Sequence, residues 1–308
     1  MDPKPLFSGT YSALVTPFLA EKLDLASFEH LLTTQQNLEG IVIGGTTGES
    51  PALDNGELEI LTREALEQKK PSFKIIVGTG SNVTQHAVTK TQLADHLDVD
   101  AILVVAPYYN KPSQEGLFHH FSTIAQNTRK PIILYSVPSR CGIEIAVETV
   151  AKLHEKYPHI VGLKEATEQC ARVDALRAAL GENFSILGGN DSMTLPFMAL
   201  GACGVISVAS NLFPDEVQKI VQSMLRGAVA EARTLHQVMA PLFRDLFLES
   251  NPVPIKHLLA RRKIITSHET RLPLVPLTPE HAQMLEATWA RVSEGLNLSS
   301  KTLRVTPL

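Results

Sequence analysis

Lys164 sits in the run Ile160-Val161-Gly162-Leu163-Lys164-Glu165-Ala166. Period-two alternation puts it on one face with Ile160 and Gly162 and turns Val161 and Leu163 the other way. If that face is the inside of a barrel, an amine is taken out of water beside a glycine that leaves it room. Burial disfavours the charged form and draws a lysine from ~10.4 toward the ~7–8 at which a useful fraction is neutral. Neutral amine attacks a ketone to form a Schiff base. The ordinary alternative is a lysine that snorkels to the rim and pairs with Glu165. Polar groups that close other strands weigh against it.

Gly44-Gly45-Thr46-Thr47-Gly48-Glu49-Ser50 combines three glycines with hydroxyls at 46, 47 and 50. A tight turn of this kind exposes amide N–H groups and makes an anion cradle with a proton-relay option; the plainer reading is a turn whose hydroxyls cap the next helix. It lacks the Gly-Lys-Ser/Thr ending of a nucleotide loop and so suits a carboxylate better than a polyphosphate. Gly78-Thr79-Gly80 matches only part of a dinucleotide fingerprint, with Val83 at the third glycine position. Tyr108-Tyr109 follows another apolar run, offering a stacking face and a phenolic donor. In the next run Tyr135 shares a face with Ile133, and its hydroxyl is either bonded to a backbone carbonyl or free for chemistry. Ser139-Arg140 then brings a guanidinium suited to bidentate capture of a carboxylate, although an isolated arginine is more often a surface salt bridge.

These groups need a scaffold that gathers strand ends. Val- and Ile-rich runs recur at 10–16, 40–43, 74–78, 101–105, 131–136, 160–164, 185–187 and 204–208, with helical stretches between them. Starts spaced by roughly 20 to 34 residues are those of βα units joined by right-handed crossovers. Eight units within about 225 residues predict an α/β fold, a closed (β/α)8 TIM barrel whose functional face is the C-terminal one. Ser27 and Ser113 are expected to open two of its amphipathic helices. Helices are then expected at 213–226, 228–248, 252–262 and 279–293, punctuated by Pro252, Pro254, Pro273, Pro276 and Pro279. The resulting division is a catalytic barrel over 1–225, a small C-terminal helical subdomain over 226–296 and a frayed tail over 297–308. Arg261-Arg262-Lys263 reads as the solvated end of a helix.

Of the 308 residues 44% are hydrophobic, enough for a full-sized core. A formal net charge of −4 gives no field to attract nucleic acid. Cys141, Cys170 and Cys203 form no CxxC pair, which suggests a reducing compartment. The start has an acidic residue and two prolines where a signal peptide needs a basic end and an apolar run, and nothing approaches ~18 unbroken apolar residues. The expectation is a cytoplasmic protein with no membrane partner. His119-His120 and His268-Glu269 lack metal-ligand spacing and read as surface groups, so no metal and no cofactor is expected.

Five motifs in order resemble the pyruvate-dependent lysine-Schiff-base lyases, and within them the 4-hydroxy-tetrahydrodipicolinate (dihydrodipicolinate) synthase family. They are Gly-Thr-Thr-Gly-Glu-Ser at 45–50, Pro-Tyr-Tyr-Asn-Lys-Pro at 107–112, Tyr-Ser-Val-Pro-Ser-Arg at 135–140, Gly-Leu-Lys-Glu-Ala-Thr at 162–167 and Asn-Pro-Val-Pro-Ile-Lys at 251–256. The resemblance spans about 9–289. It implies that Lys164 forms an imine with pyruvate, that Thr46 and Thr47 hold the pyruvate carboxylate, and that Tyr135 and Thr46 relay protons with Tyr109 lent by a neighbouring subunit. It implies that the enamine attacks the aldehyde of L-aspartate 4-semialdehyde, whose amine then closes the ring by transimination, yielding 4-hydroxy-tetrahydrodipicolinate on the route to diaminopimelate and L-lysine. Arg140 would hold that substrate's carboxylate, and Gly189 and Ile206 would line the pyruvate pocket. A homotetramer, a dimer of tight dimers, is implied too.

The chain departs from the family at several points. Position 136 is Ser where Asn is usual, and 187–191 reads Leu-Gly-Gly-Asn-Asp where Ser-Gly-Asp-Asp is common. Lysine-inhibited members use residues matching Ser50, Pro51, Asn55, Leu58, Asn82, His86 and Tyr108 as an allosteric site. Here Leu58 replaces a histidine and His86 a glutamate, which argues against strong inhibition. Sugar-acid aldolases of the same superfamily are the nearest rival, and Arg140 argues against them, because sugar hydroxyls call for neutral partners. A barrel turned non-catalytic sensor would have lost the lysine or the relay, and neither is lost.

Overall fold

The eight expected runs form eight parallel strands: β1 (Gly9–Ala13), β2 (Gly40–Ile43), β3 (Lys74–Gly78), β4 (Ala101–Val105), β5 (Ile132–Ser136), β6 (Ile160–Glu165), β7 (Ser185–Gly188) and β8 (Gly204–Ser207). Each pairs with its neighbours in sequence, and β1 pairs with both β2 and β8, which closes the barrel. This computed structural model describes residues 5–296; the tail expected over 297–308 lies outside the described residues.

The register aligns Val105 with Tyr135, Tyr135 with Lys164 and Lys164 with Leu187. Neighbours in register share a face, so these four side chains belong to one layer inside the barrel. Below them Leu103, Ile133, Gly162 and Ser185 form the next layer, with Ile133 and Ser185 fully buried. One expectation fails here. Ile132 pairs with Ile160 but Ile133 with Gly162, so β6 carries an extra residue. A bulge of this kind reverses the alternation, turning Ile160 outward with Ile132 while Gly162 and Lys164 stay inside.

Helix Gln114–Ala125 starts at Ser113, whose Oγ accepts from the Gly116 amide at 3.2 Å, as expected. Helix Leu25–Thr34 is instead capped by Asp24, which accepts from the Ser27 amide at 3.1 Å; Ser27 lies in its first turn. A carboxylate there satisfies the free amide and complements the helix dipole. A two-stranded ribbon of Phe18–Leu19 and Lys22–Leu23 was not foreseen, because two-residue strands leave no periodic signal.

After β8, helix Pro214–Leu225 packs on β1 and β8. Helices Val229–Asp245, Val253–Arg261 and Pro279–Gly295 follow, packed on one another. The basic run at 261–263 is not simply solvated. Arg262 lies over the Trp289 ring at 3.4 Å and bonds Glu286 at 2.6 Å, clamping the last helix. His120 is likewise buried rather than at the surface; it meets Thr84 Oγ1 at 2.9 Å, and burial lowers its pKa to about 4. All three cysteines are free thiols. Among the described residues no helix is long and apolar enough to cross a membrane.

Candidate active site

Lys164 is 5% exposed, inside the barrel near the C-terminal end of β6. Its Nζ stands 4.4 Å from the centroid of the Tyr135 ring. Glu165 is not its partner. That carboxylate faces the other way, bonding the Arg172 Nε at 2.6 Å and the Thr167 amide at 2.9 Å. The rim pairing considered from the sequence therefore does not occur. Burial lowers the Lys164 pKa to about 8; the nearby Asp191 carboxylate opposes that shift and the Arg140 guanidinium adds to it. At pH 8 half of such lysines are neutral, against roughly 0.3% at an ordinary lysine pKa.

The glycine that clears space for this side chain is Gly189, not Gly162. A Cβ on Gly189 would stand 3.0 Å from Lys164 Cε and 2.8 Å from Ala166 Cβ, whereas one on Gly162 would strike the Ser185 carbonyl at 2.8 Å. Gly162 thus serves strand packing and Gly189 the lysine.

Tyr135 is buried beside it. Burial raises the phenol, while a hydrogen bond with Thr46 and the Arg140 charge oppose the rise. Thr46 comes from the loop after β2, whose backbone reaches this position because Gly44 has φ +62° and Gly78 leaves room: a Cβ on Gly78 would meet the Gly44 carbonyl at 2.1 Å. That close approach accounts for Gly78 without any nucleotide. Among the described residues the amides of Thr46 and Thr47 donate to no backbone acceptor, as an anion cradle requires.

Two residues that sequence reasoning left without a role hold this loop. Asn251 Nδ2 donates to Thr47 Oγ1 at 2.9 Å, and the Asn251 carbonyl accepts from Arg140 Nη2 at 3.2 Å. Fully buried Lys256 donates to Glu49 Oε1 at 2.7 Å and to the Thr16 carbonyl at 2.8 Å. The segment after helix Val229–Asp245 therefore braces the cradle and the guanidinium together. Both residues lie in the Asn-Pro-Val-Pro-Ile-Lys motif. A lysine among apolar residues at the start of a helix was the readable signal.

Asp191 was also missed. It is buried, with Oδ2 accepting from the Val208 and Ala209 amides at 3.0 Å each. It ties the ends of β7 and β8 together and puts a negative charge near Lys164. Ser136 lies on the outer face, where its Oγ accepts from the Ile145 amide at 3.3 Å, so the departure at that position leaves the cavity unchanged.

A cavity of about 990 Å³ collects Thr46, Thr47, Tyr135, Arg140, Lys164 and Gly189. Ile206 is fully buried in register with Tyr11, two residues beyond Gly204, which shares the register of Leu187 and Lys164; Val208, further along the strand end, borders the cavity. A smaller cavity of about 230 Å³ meets the first at Thr46, Tyr135 and Arg140 and extends to Ser50, Tyr108 and Lys90. Asn82 and His86 do not line it; Asn82 is tied by its carbonyl to Asn110 Nδ2 at 2.7 Å. Tyr109 is 89% exposed at φ +71° and does not reach this chain's own cavity. Among the described residues no cluster of three or more His, Cys, Asp or Glu is placed to hold a metal.

Residues 6–291 match the profile described as the Dihydrodipicolinate synthetase family. The chain belongs to that family. It is 42% identical over 283 residues to the 4-hydroxy-tetrahydrodipicolinate synthase of Sulfurihydrogenibium sp. (strain YO3AOP1), covering 91% of this chain and 97% of the relative. Identity to the Aquifex aeolicus (strain VF5) protein of the same name is also 42%, with 91% and 96% covered. The solved 4-hydroxy-tetrahydrodipicolinate synthase of Methylacidiphilum fumariolicum SolV superposes with a TM-score of 0.93 at 49% identity, covering 95% of this chain and 98% of that one.

Proposed function

We propose that this protein condenses pyruvate with L-aspartate 4-semialdehyde to give 4-hydroxy-tetrahydrodipicolinate, on the route to diaminopimelate and L-lysine. The observation that carries the reading is Lys164, buried in register with Tyr135, with its amine drawn toward neutrality at the floor of a cavity that also holds Arg140. The neutral amine attacks the pyruvate ketone, and water leaves as the imine forms. Thr46 and Thr47 hold the pyruvate carboxylate. Tyr135 and Thr46 pass the protons that imine formation and its conversion to the enamine require. The enamine carbon attacks the aldehyde; the second substrate's amine then displaces Lys164 and closes the ring.

Tyr109, fully presented to solvent in a single chain, acts from a neighbouring subunit, and the working form is a homotetramer in the cytoplasm. Residues 1–225 serve as the catalytic barrel and 226–296 as the helical subdomain that braces Thr47 and Arg140. Gly189 and Ile206 line the pyruvate pocket.

Arg140→Ala tests the assignment of the second substrate. The pyruvate adduct should still form, while kcat/KM for L-aspartate 4-semialdehyde should fall by about 10²-fold, as expected for losing a charge-assisted bidentate contact. Steady-state kinetics with each substrate varied in turn measures this, and an unchanged KM for the aldehyde would make the arginine structural.

Inhibition by L-lysine should be weak. His86 offers an ammonium no carboxylate, Leu58 removes a further polar partner, and Lys90 brings a positive charge to the smaller cavity beside Ser50 and Tyr108. Burial lowers the Lys90 pKa, and no carboxylate contributes to its shift. Half-inhibition is expected only at about 1 mM or above, from roughly 10–100-fold weaker binding. A titration at saturating pyruvate that reached half-inhibition at low micromolar L-lysine would refute this.

A further inference from the structure

The second substrate of the proposed reaction carries three handles: an aldehyde that must meet the enamine on Lys164, a carboxylate suited to Arg140, and an ammonium for which no partner has yet been identified. Two acids line the larger cavity, Glu168 and Glu249. Glu249 is already committed. Its Oε1 accepts from the Thr278 amide at 3.0 Å, from Thr278 Oγ1 at 3.2 Å and from His281 Nδ1 at 2.8 Å. Glu168 is exposed and has one long contact, from Asn190 Nδ2 at 3.4 Å. Asn190 is itself fixed. Its Oδ1 accepts from the Ser192 amide at 3.2 Å and from Ser192 Oγ at 2.9 Å, which orients the amide nitrogen toward Glu168. A neutral amide positions the carboxylate without cancelling its charge. Asparagine stands at 190 where aspartate is common in the family, so at this position the loop after β7 brings Glu168 an amide and not a second carboxylate. An aspartate at 190 would repel Glu168.

We propose that Glu168, positioned by Asn190, is the ammonium subsite that selects an aldehyde carrying an α-amino acid group over its deaminated counterpart. This inference rests on the condensation reading above. The contact acts in docking, so its loss is felt in KM and not in imine formation. The test compares the full-length protein with its Glu168→Gln and Glu168→Asp variants, using L-aspartate 4-semialdehyde as substrate and succinate semialdehyde, which lacks the amine, as competing inhibitor. Glu168→Gln should raise KM for the amino aldehyde about 10-fold, leave kcat and the inhibition constant of succinate semialdehyde within about 2-fold, and leave the pyruvate adduct intact. Glu168→Asp should recover part of the loss. Parallel changes in KM and the inhibition constant, or no change in either, would overturn the subsite. If the unmodified protein formed no product from pyruvate and L-aspartate 4-semialdehyde, the condensation reading itself would fail, and that would be known before any variant was compared.

Discussion

Lys164→Ala is expected to abolish imine formation with pyruvate and to lower turnover by about 10³-fold or more, and Lys164→Arg to do the same. The pair separates charge from nucleophilicity. Arginine keeps a cation at the same depth of the barrel but remains protonated at any pH the fold withstands, so it has no lone pair to offer a ketone. The unmodified protein should show kcat/KM for pyruvate rising with pH through about 8, the value to which burial brings the Lys164 pKa, because deprotonation supplies the nucleophile. A lysine at its ordinary pKa would keep that rise going past pH 10. Asp191→Asn bears on the same limb: its carboxylate favours the ammonium form, so removing it should shift the limb to lower pH.

Lys256→Ala is expected to cost about 3–5 kcal/mol of stability, a fall in Tm of about 5–15 °C, because it leaves Glu49 buried without its ion-pair partner. The loss should extend to function. Glu49 lies two residues after the Thr46–Thr47 cradle and sits at φ +55°, a conformation uncommon for a non-glycine residue that its surroundings must enforce. KM for pyruvate should therefore rise along with the loss of stability. Combining Lys256→Met with Glu49→Gln removes both charges and should recover much of the stability. Thermal unfolding of the two single variants and the double variant gives the coupling directly; additive losses would mean the pair is not the brace described above.

The barrel was legible because eight Val- and Ile-rich runs at regular spacing admit few arrangements, and because parity along β5 and β6 is set close to the residues that matter. Tyr135 and Lys164 needed only the period-two rule over two residues, Ile133 to Tyr135 and Gly162 to Lys164. Extending the rule back to Ile160 failed, since a single extra residue in a strand has no compositional signature. The long-range partners were not legible. Asn251 lies 204 residues from Thr47 and Lys256 lies 207 from Glu49, and no local pattern encodes such a meeting. Asp191 was hidden for a related reason: its partners are backbone amides after β8, and amides are the same at every position in a sequence. Tyr109 shows the opposite limit, where an aromatic ring can be read from the sequence but a single chain leaves it at the surface, away from its own cavity.

The most direct measurement is reduction with borohydride in the presence of pyruvate, followed by mass analysis of the intact chain and its peptides. The account predicts one pyruvate-derived adduct per chain, carried on Lys164 and absent from Lys164→Ala. An unmodified chain, or an adduct on Lys90 or Lys256 instead, would contradict it.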